Sequence, residues 1–341
     1  MASLYWSKLY LNKLISKDIQ HLEQILHSEE YSDNSIEYLM TFKKLAEMKS
    51  PLVCHTVKHT HYSLSKICHI LNLASVPVNH EKNGKIDLNH LEILISEHVV
   101  LRSHINIIIF ANVGSTCFGA IDDIPRINIL LKRKTKNGEI SKYTIHADAA
   151  LMGLALPIIR PFERVTNYFD EIGVTTMAIS CHKLLGSVIS GIVLTQKNIL
   201  DAVFKDKQGI SYVGSICDIT ISGCRPAMNV LTLHNILHAY ELHIPESSLF
   251  ERIIQTNLNN SMYLYWKLIY ILGKDNVYLQ NFHVFFKLNL ENKDLIQSLI
   301  NKYYLMPSVD GYVTIIVLQH LNKEKTECFI TDLKNCFLNN E

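Results

Sequence analysis

Residues 143–150, Tyr143-Thr144-Ile145-His146-Ala147-Asp148-Ala149-Ala150, run an apolar strand pattern into an acidic residue. A second run, Gly173-Val174-Thr175-Thr176-Met177-Ala178-Ile179-Ser180, leads into Cys181-His182-Lys183. Asp148 and Lys183 thus close two consecutive strand-like segments 35 positions apart (183 minus 148). Alternate residues of a strand share a face, so His146, Asp148 and Ala150 point together if the strand persists that far. A lysine at the end of a buried strand is costly unless it has a partner or a task.

That pair of groups matches what pyridoxal 5'-phosphate requires. A lysine can hold the cofactor's aldehyde as an imine, and an aspartate can keep its pyridine nitrogen protonated so that the ring accepts electrons. Ala150 is small enough for a flat ring to lie on it. The competing local readings are that Asp148 caps a following helix and that Lys183 reaches to the surface.

Working outward, Ile105–Ala111 is a continuous β-branched run, as expected of a strand buried on both faces of a parallel sheet. Asn112-Val113-Gly114-Ser115-Thr116 follows it, where open α/β sheets place ligands. Upstream, the pattern predicts strands over 52–57 and 75–78 and helices over 62–71 and 88–95, with Asp87 capping the latter. A helix is predicted over 122–131, followed by a charged surface loop over 132–142, and strands over 174–180 and 189–195. This alternation predicts a mainly parallel sheet with helices on both faces. Residues 1–50 have helical spacing. From about Tyr240 long amphipathic stretches (249–272, 294–305, 323–337) surround strand-like runs at 284–290 and 312–319, a smaller α/β lobe. The expected division is an N-terminal helical segment at 1–50, a large domain at 51–240 and a small domain at 241–341.

His61 opens the 62–71 helix inside His59-Thr60-His61-Tyr62-Ser63, where an imidazole could stack on a cofactor ring and move protons, or simply cap the helix. His55, His59 and His61 lack the acidic or cysteine ligands that usually complete a metal site, so no metal is expected.

Composition narrows the class. Lys plus Arg total 33 against 32 for Asp plus Glu, a net charge of +1, which gives no electrostatic case for nucleic acid or an anionic membrane. With 48% hydrophobic and 19% charged residues the chain can bury a substantial core. The eight cysteines form no C-x-x-C pair and read as reduced thiols. The N-terminus is interrupted by Lys8, Lys13 and Lys17 and does not read as a signal peptide, and no apolar run reaches 18 residues. A cytoplasmic location is the expectation. A nucleophile elbow, G-x-S-x-G, does not occur, which argues against a hydrolase.

In this order the motifs resemble the group II pyridoxal phosphate-dependent amino-acid decarboxylases, above all the histidine decarboxylases and the plant serine decarboxylase-like proteins. The resemblance is carried by HTHYSLSK (59–66), NGKIDL (83–88), IIFANVGSTCFGAIDDI (108–124), IHADAALMGLALP (145–157), IGVTTMAISCHKLLGS (172–187) and ITISGCRP (219–226). It implies the pyridoxal phosphate-dependent transferase fold of type I, with a mainly parallel seven-stranded sheet, a small C-terminal α/β lobe and an N-terminal segment short beside the family's. It implies that Lys183 holds the cofactor, Asp148 pairs with its ring nitrogen, and Ala150 and His61 lie on opposite faces of the ring. Ser115 or Thr116 would contact a ring substituent, and Ser180 and His182 would lie near the phosphate. The family's glycine-rich phosphate cradle corresponds to Ser32-Asp33-Asn34-Ser35-Ile36-Glu37, where Ser35 keeps a hydroxyl but the glycines are gone and two carboxylates intrude. Glycine is scarce throughout, 13 of 341 residues against a usual ~7%. The implied activity is decarboxylation of an amino acid in a homodimer, histidine to histamine first and serine or another amino acid second. The alternative is a degenerate homologue that binds the cofactor weakly or serves as a dimer partner.

Overall fold

Strand β3, Asn106–Asn112, has all seven residues buried because its alternate side chains enter two different cores. Ile107, Ile109 and Ala111 join one apolar cluster, and Ile108 and Phe110 join another on the opposite face. Only a sheet covered on both sides lets a continuous β-branched run bury every residue. The computed structural model describes residues 2–26, 36–101, 105–160, 169–204, 223, 226–242, 248–288, 293–308 and 311–338.

Six described strands form the main sheet in the order β2-β1-β3-β4-β5-β6, namely β1 (Leu52–Thr56), β2 (Ala74–Val78), β3, β4 (Lys142–Asp148), β5 (Thr176–Ser180) and β6 (Gly191–Thr195). β1 to β5 pair parallel, whereas β6 runs antiparallel to β5. The segment between β5 and β6 is too short for the crossover a parallel pair needs. The seventh strand implied by the resemblance is not among the described residues.

One face is covered by α1 (Ala2–Leu14) and α4 (Ser63–Ile70), which contribute Leu4, Leu11, Leu64 and Ile67 to the cluster around Ile108 and Phe110. Ser7 of α1 is fully buried and its Oγ bonds Thr176 Oγ1 at 2.6 Å. The other face carries α5 (Leu88–Leu101) and α6 (Ile124–Lys136), through Leu91, Ile95, Ile127 and Leu131. α2 (Ser16–Leu26) and α3 (Ile36–Lys49) pack together through Leu22, Leu45 and Met48. α7 (Leu156–Ile159), α8 (Lys197–Phe204) and α9 (Ala227–Ala239) complete this part of the chain.

A second, antiparallel sheet has the order β7-β8-β10-β9, from β7 (Val277–Gln280), β8 (His283–Lys287), β9 (Met306–Pro307) and β10 (Tyr312–Ile316). It packs on α10 (Leu249–Leu272), α11 (Lys293–Tyr303) and α12 (Lys323–Leu338) around Leu264, Phe286 and Phe329.

The charged segment 132–142 differs from the expected surface loop. α6 continues to Lys136, and Lys134 is buried, with its Nζ 2.6 Å from Glu139 and 3.4 Å from Glu92. Its basic residues sit at a helix C-terminus, where the dipole favours them, and the carboxylates satisfy the buried ammonium. α6 also starts two residues later than expected. Asp123 caps it by accepting from the Arg126 amide, which frees Asp122 to turn inward.

Asp122 is fully buried and accepts the backbone N–H groups of Ile86 at 2.7 Å and Asn112 at 2.6 Å. Burial pushes its carboxyl up to about 6, opposed by those hydrogen bonds. Asp122→Ala strands two buried amide donors, each worth ~1–3 kcal/mol. Denaturant unfolding should record a loss of about 2–5 kcal/mol for this variant, with the midpoint shifted and the slope unchanged.

Candidate active site

The C-terminal ends of the parallel strands meet at one edge of the sheet, where open α/β folds bind ligands. β3 and β4 are in register so that Asn112 pairs with Asp148, and the Val113 amide donates to the Asp148 carbonyl at 2.8 Å. β5 pairs Ala178 with Asp148 and delivers Ser180 to the same edge. A cavity of about 350 Å³ opens there, within the range of small-molecule and cofactor sites.

Asp148, Lys183, His61, Ala150, Ser115, Thr116, Ser180 and His182 all line this one cavity. β4 ends at Asp148, so Ala150 reaches the cavity from the turn that follows rather than from the strand itself. The Asp148 carboxylate accepts the Ala150 amide at 3.2 Å, so the residue also secures the turn it opens. Burial pushes the Asp148 carboxyl above its ordinary value, and the nearby Lys183 ammonium opposes that shift. Lys183 is half-buried in a turn just after β5, its amide donating to the Ser180 carbonyl at 3.4 Å.

His61 sits at the start of α4 and its ring does two things. Nδ1 accepts the Ser63 amide at 3.2 Å, a helix-capping contact, and lies 2.8 Å from the Ser63 hydroxyl. An acceptor Nδ1 places the proton of the neutral ring on Nε2. Burial and the Lys183 ammonium hold its pKa below the usual value, while Asp148 pulls it up. The ring therefore caps α4 and lines the cavity at once.

Gly114 has φ of +94° and the Met152 side chain would lie 2.2 Å from any Cβ there. Only glycine lets the chain turn this tightly after β3. Ser115, next along, is buried and its Oγ accepts the Ala120 amide at 3.0 Å, which leaves the hydroxyl hydrogen free to donate. His182 is exposed at the rim, its Nδ1 donating to the Ser190 carbonyl at 3.3 Å. Ser35 and the rest of Ser32–Ser35 lie outside the described residues, as do Cys224 and Arg225. Among the described residues no group of three or more His, Cys, Asp or Glu side chains could hold a metal ion.

Further residues line the cavity without a site role assigned to them from the sequence, among them His146, Asn112 and Leu4. His146 points in beside Asp148; it is buried, its Nδ1 is 2.9 Å from Thr176 Oγ1, and burial pushes its pKa down to about 3. Its shared strand face with Asp148 was the available signal. Asn112 donates to Thr56 and Thr60 at 3.3 Å. Leu4 comes from α1, and nothing local in the sequence marks it.

The donor set fits pyridoxal phosphate: an amine, a carboxylate, an imidazole, a small flat floor at Ala150 and hydroxyl groups, all on one cavity. Comparison with known proteins agrees. The pyridoxal-dependent decarboxylase conserved domain matches residues 38–219, and the chain belongs to that family, whose cofactor is pyridoxal phosphate. Histidine decarboxylase of Vibrio campbellii is 37% identical over 186 residues, 54% of this chain and 45% of that protein. That of Morganella morganii is 36% identical over 184 residues, again 54% of this chain and 45% of the relative. The chain spans about half the length of these relatives. Among solved structures, tryptophan decarboxylase of Catharanthus roseus superposes with a TM-score of 0.67 at 16% identity, covering 99% of this chain and 68% of the other. L-methionine decarboxylase of Streptomyces sp. 590 gives 0.66 at 16% identity, covering 98% and 75%. At such identities these two show a shared fold.

The coupling of His61 to its neighbours has a measurable sign. In Lys183→Ala the imidazole, followed by NMR, should titrate at higher pH than in the unaltered chain, because a neighbouring cation is gone. In Asp148→Asn it should titrate at lower pH, because a stabilising anion is gone. No movement in either variant would mean that the three groups do not share a cavity.

Proposed function

We propose that this chain is a pyridoxal phosphate-dependent amino-acid decarboxylase acting on histidine, in the cytoplasm, as a homodimer. The observation that carries the activity is the gathering of Asp148, Lys183 and His61 on one cavity at the strand ends. Similarity to the two histidine decarboxylases supports the substrate.

When bound, the cofactor supplies an electron sink for the pair of electrons left on the α-carbon as carbon dioxide departs. Lys183 would hold it covalently, its amine being the one lysine amine on the cavity among the described residues. Asp148, made reluctant to ionise by burial, would gain a favourable partner in a protonated pyridine nitrogen and would keep that proton in place. Ala150 would leave room for the ring, and His61, which carries its proton on Nε2, would flank it and could serve in proton transfer. Ser115 or Thr116 would contact a ring substituent, and Ser180 and His182 would stand by the phosphate, with Ser35 of the segment before α3. Residues 51–240 serve as the cofactor domain and 241–341 as the small lobe.

The dimer is supported by α9. This apolar helix has no buried residue, and Met228, Val230 and Leu231 are 60%, 73% and 55% exposed. An unsatisfied helix face of that kind is covered in a stable protein. Val230→Glu with Leu231→Glu should convert a dimer to a monomer in sedimentation analysis; an unchanged sedimentation coefficient places the interface elsewhere.

The activity is tested by supplying pyridoxal phosphate and assaying carbon dioxide and amine from an amino-acid panel. Histamine from histidine is the expected product. Borohydride reduction of the loaded protein should place a pyridoxyl group on Lys183 and leave none in Lys183→Ala. An adduct elsewhere would overturn the assignment of Lys183.

A further inference from the structure

The C-terminal lobe has a cavity of its own, about 350 Å³, between α10, α11 and the first turns of α12. Its floor is apolar, with Leu264, Leu305 and Phe329 all buried, and its volume falls in the range of small-molecule sites. Its rim is polar and carries two ammonium groups, Lys302 and Lys325. Lys302 is already neutralised, because Asp332 accepts from its Nζ and from the Tyr303 hydroxyl at 2.5 Å each. Lys325 Nζ donates instead to the His320 carbonyl at 2.8 Å, a neutral acceptor that leaves its charge uncompensated. Among the described residues no carboxylate lines the cavity, and Glu324, in the same turn as Lys325, lies off it. That turn is the N-terminus of α12, where the helix dipole also favours an anion.

Tyr304, at the mouth, is held against its own backbone preference. It has φ of +51°, just past α11, where the Leu305 amide returns to the Ile300 carbonyl at 3.0 Å. That helix closure ordinarily uses glycine, because a side chain crowds the backbone at positive φ. The tyrosine ring is nonetheless present and 91% exposed beside the cavity. A strained, exposed aromatic residue at a cavity mouth is accounted for when its ring covers a ligand. The segment that forms one side of the mouth also reaches the catalytic turn: Gln319, next to His320, donates its Nε2 to the Leu184 carbonyl, beside Lys183, at 2.9 Å.

We propose that this cavity binds a small apolar carboxylate, with its body on Leu264, Leu305 and Phe329, its anionic group on Lys325, and the Tyr304 ring over the mouth. The site is distinct from the strand-end cavity, with which it shares no lining residue. It adjoins a larger space, about 680 Å³, that Lys183 lines, and Tyr304 and His320 belong to the walls of both. A ligand here would therefore sit one wall away from the catalytic turn.

The test uses the full chain with pyridoxal phosphate supplied, so that the strand-end cavity is filled, and two fluorescent probes, 2-naphthoate and its uncharged counterpart 2-naphthamide. The carboxylate should bind at least about threefold more tightly than the amide, and Lys325→Gln should abolish that preference by weakening the carboxylate alone. Tyr304→Gly should weaken both probes at least about threefold while raising the thermal midpoint by about 2 °C, since glycine fits the positive φ. Cys328, exposed on the same rim, reports the location. Bound 2-naphthoate should slow its alkylation by iodoacetamide at least about threefold, read by peptide mapping. The probe comparison and the Cys328 protection use the unaltered chain and hold whether or not a variant folds. The proposal is overturned if 2-naphthoate does not bind or binds no better than the amide. It is equally overturned if the preference survives in folded Lys325→Gln, if Tyr304→Gly binds both probes as before, or if Cys328 is not protected.

Discussion

The register of β3 on β4 is the constraint on which the site depends. It sets Asn112 beside Asp148, and the Val113 amide closes on the Asp148 carbonyl. A slip of one residue would turn Asp148 to the opposite face of the sheet and bring Ala147 to the cavity. The slip is prevented by burial on both faces: it would drive the larger Phe110 ring into the core that now holds Ile107 and Ile109. Asp122 adds a polar lock, since its carboxylate accepts the Asn112 amide at the strand's end and the Ile86 amide from the turn after β2.

Around that register the ionisable groups shape one another. Asp148 is reluctant to ionise because it is buried, and Lys183 makes ionisation easier. His61 feels both, with opposite signs. Such mutual perturbation of a carboxylate, an amine and an imidazole in one cleft is a mark of catalytic sites. His146 stays neutral beside them because burial removes the water its charged form would need.

The C-terminal sheet does more than add a second core. Phe118 of the loop after β3 packs on Phe285 of β8, with ring centroids 4.5 Å apart, and Asn281 donates to the Gly119 carbonyl at 3.3 Å. Gly119 cannot carry a side chain, because His283 Nδ1 would lie 2.4 Å from its Cβ. The two sheets thus grip the loop carrying Ser115 and Thr116.

The sequence by itself determined the alternation of strands and helices, the two-faced burial of β3, and the identities of Asp148, Lys183 and His61 as the groups at the strand and helix ends. These were legible because they rest on short-range periodicity and on the cost of burying charge. It misjudged the 132–142 segment, because whether a charged run is solvated or bound depends on partners such as Glu92, which is 42 positions from Lys134 (134 minus 92). It could not reach Leu4, whose place at the cavity arises from packing between segments far apart in the chain. Only the tertiary structure decided the antiparallel direction of β6, the inward turn of Asp122, and the closing of the C-terminal sheet over Lys183. Each rests on a long-range contact that no local pattern encodes.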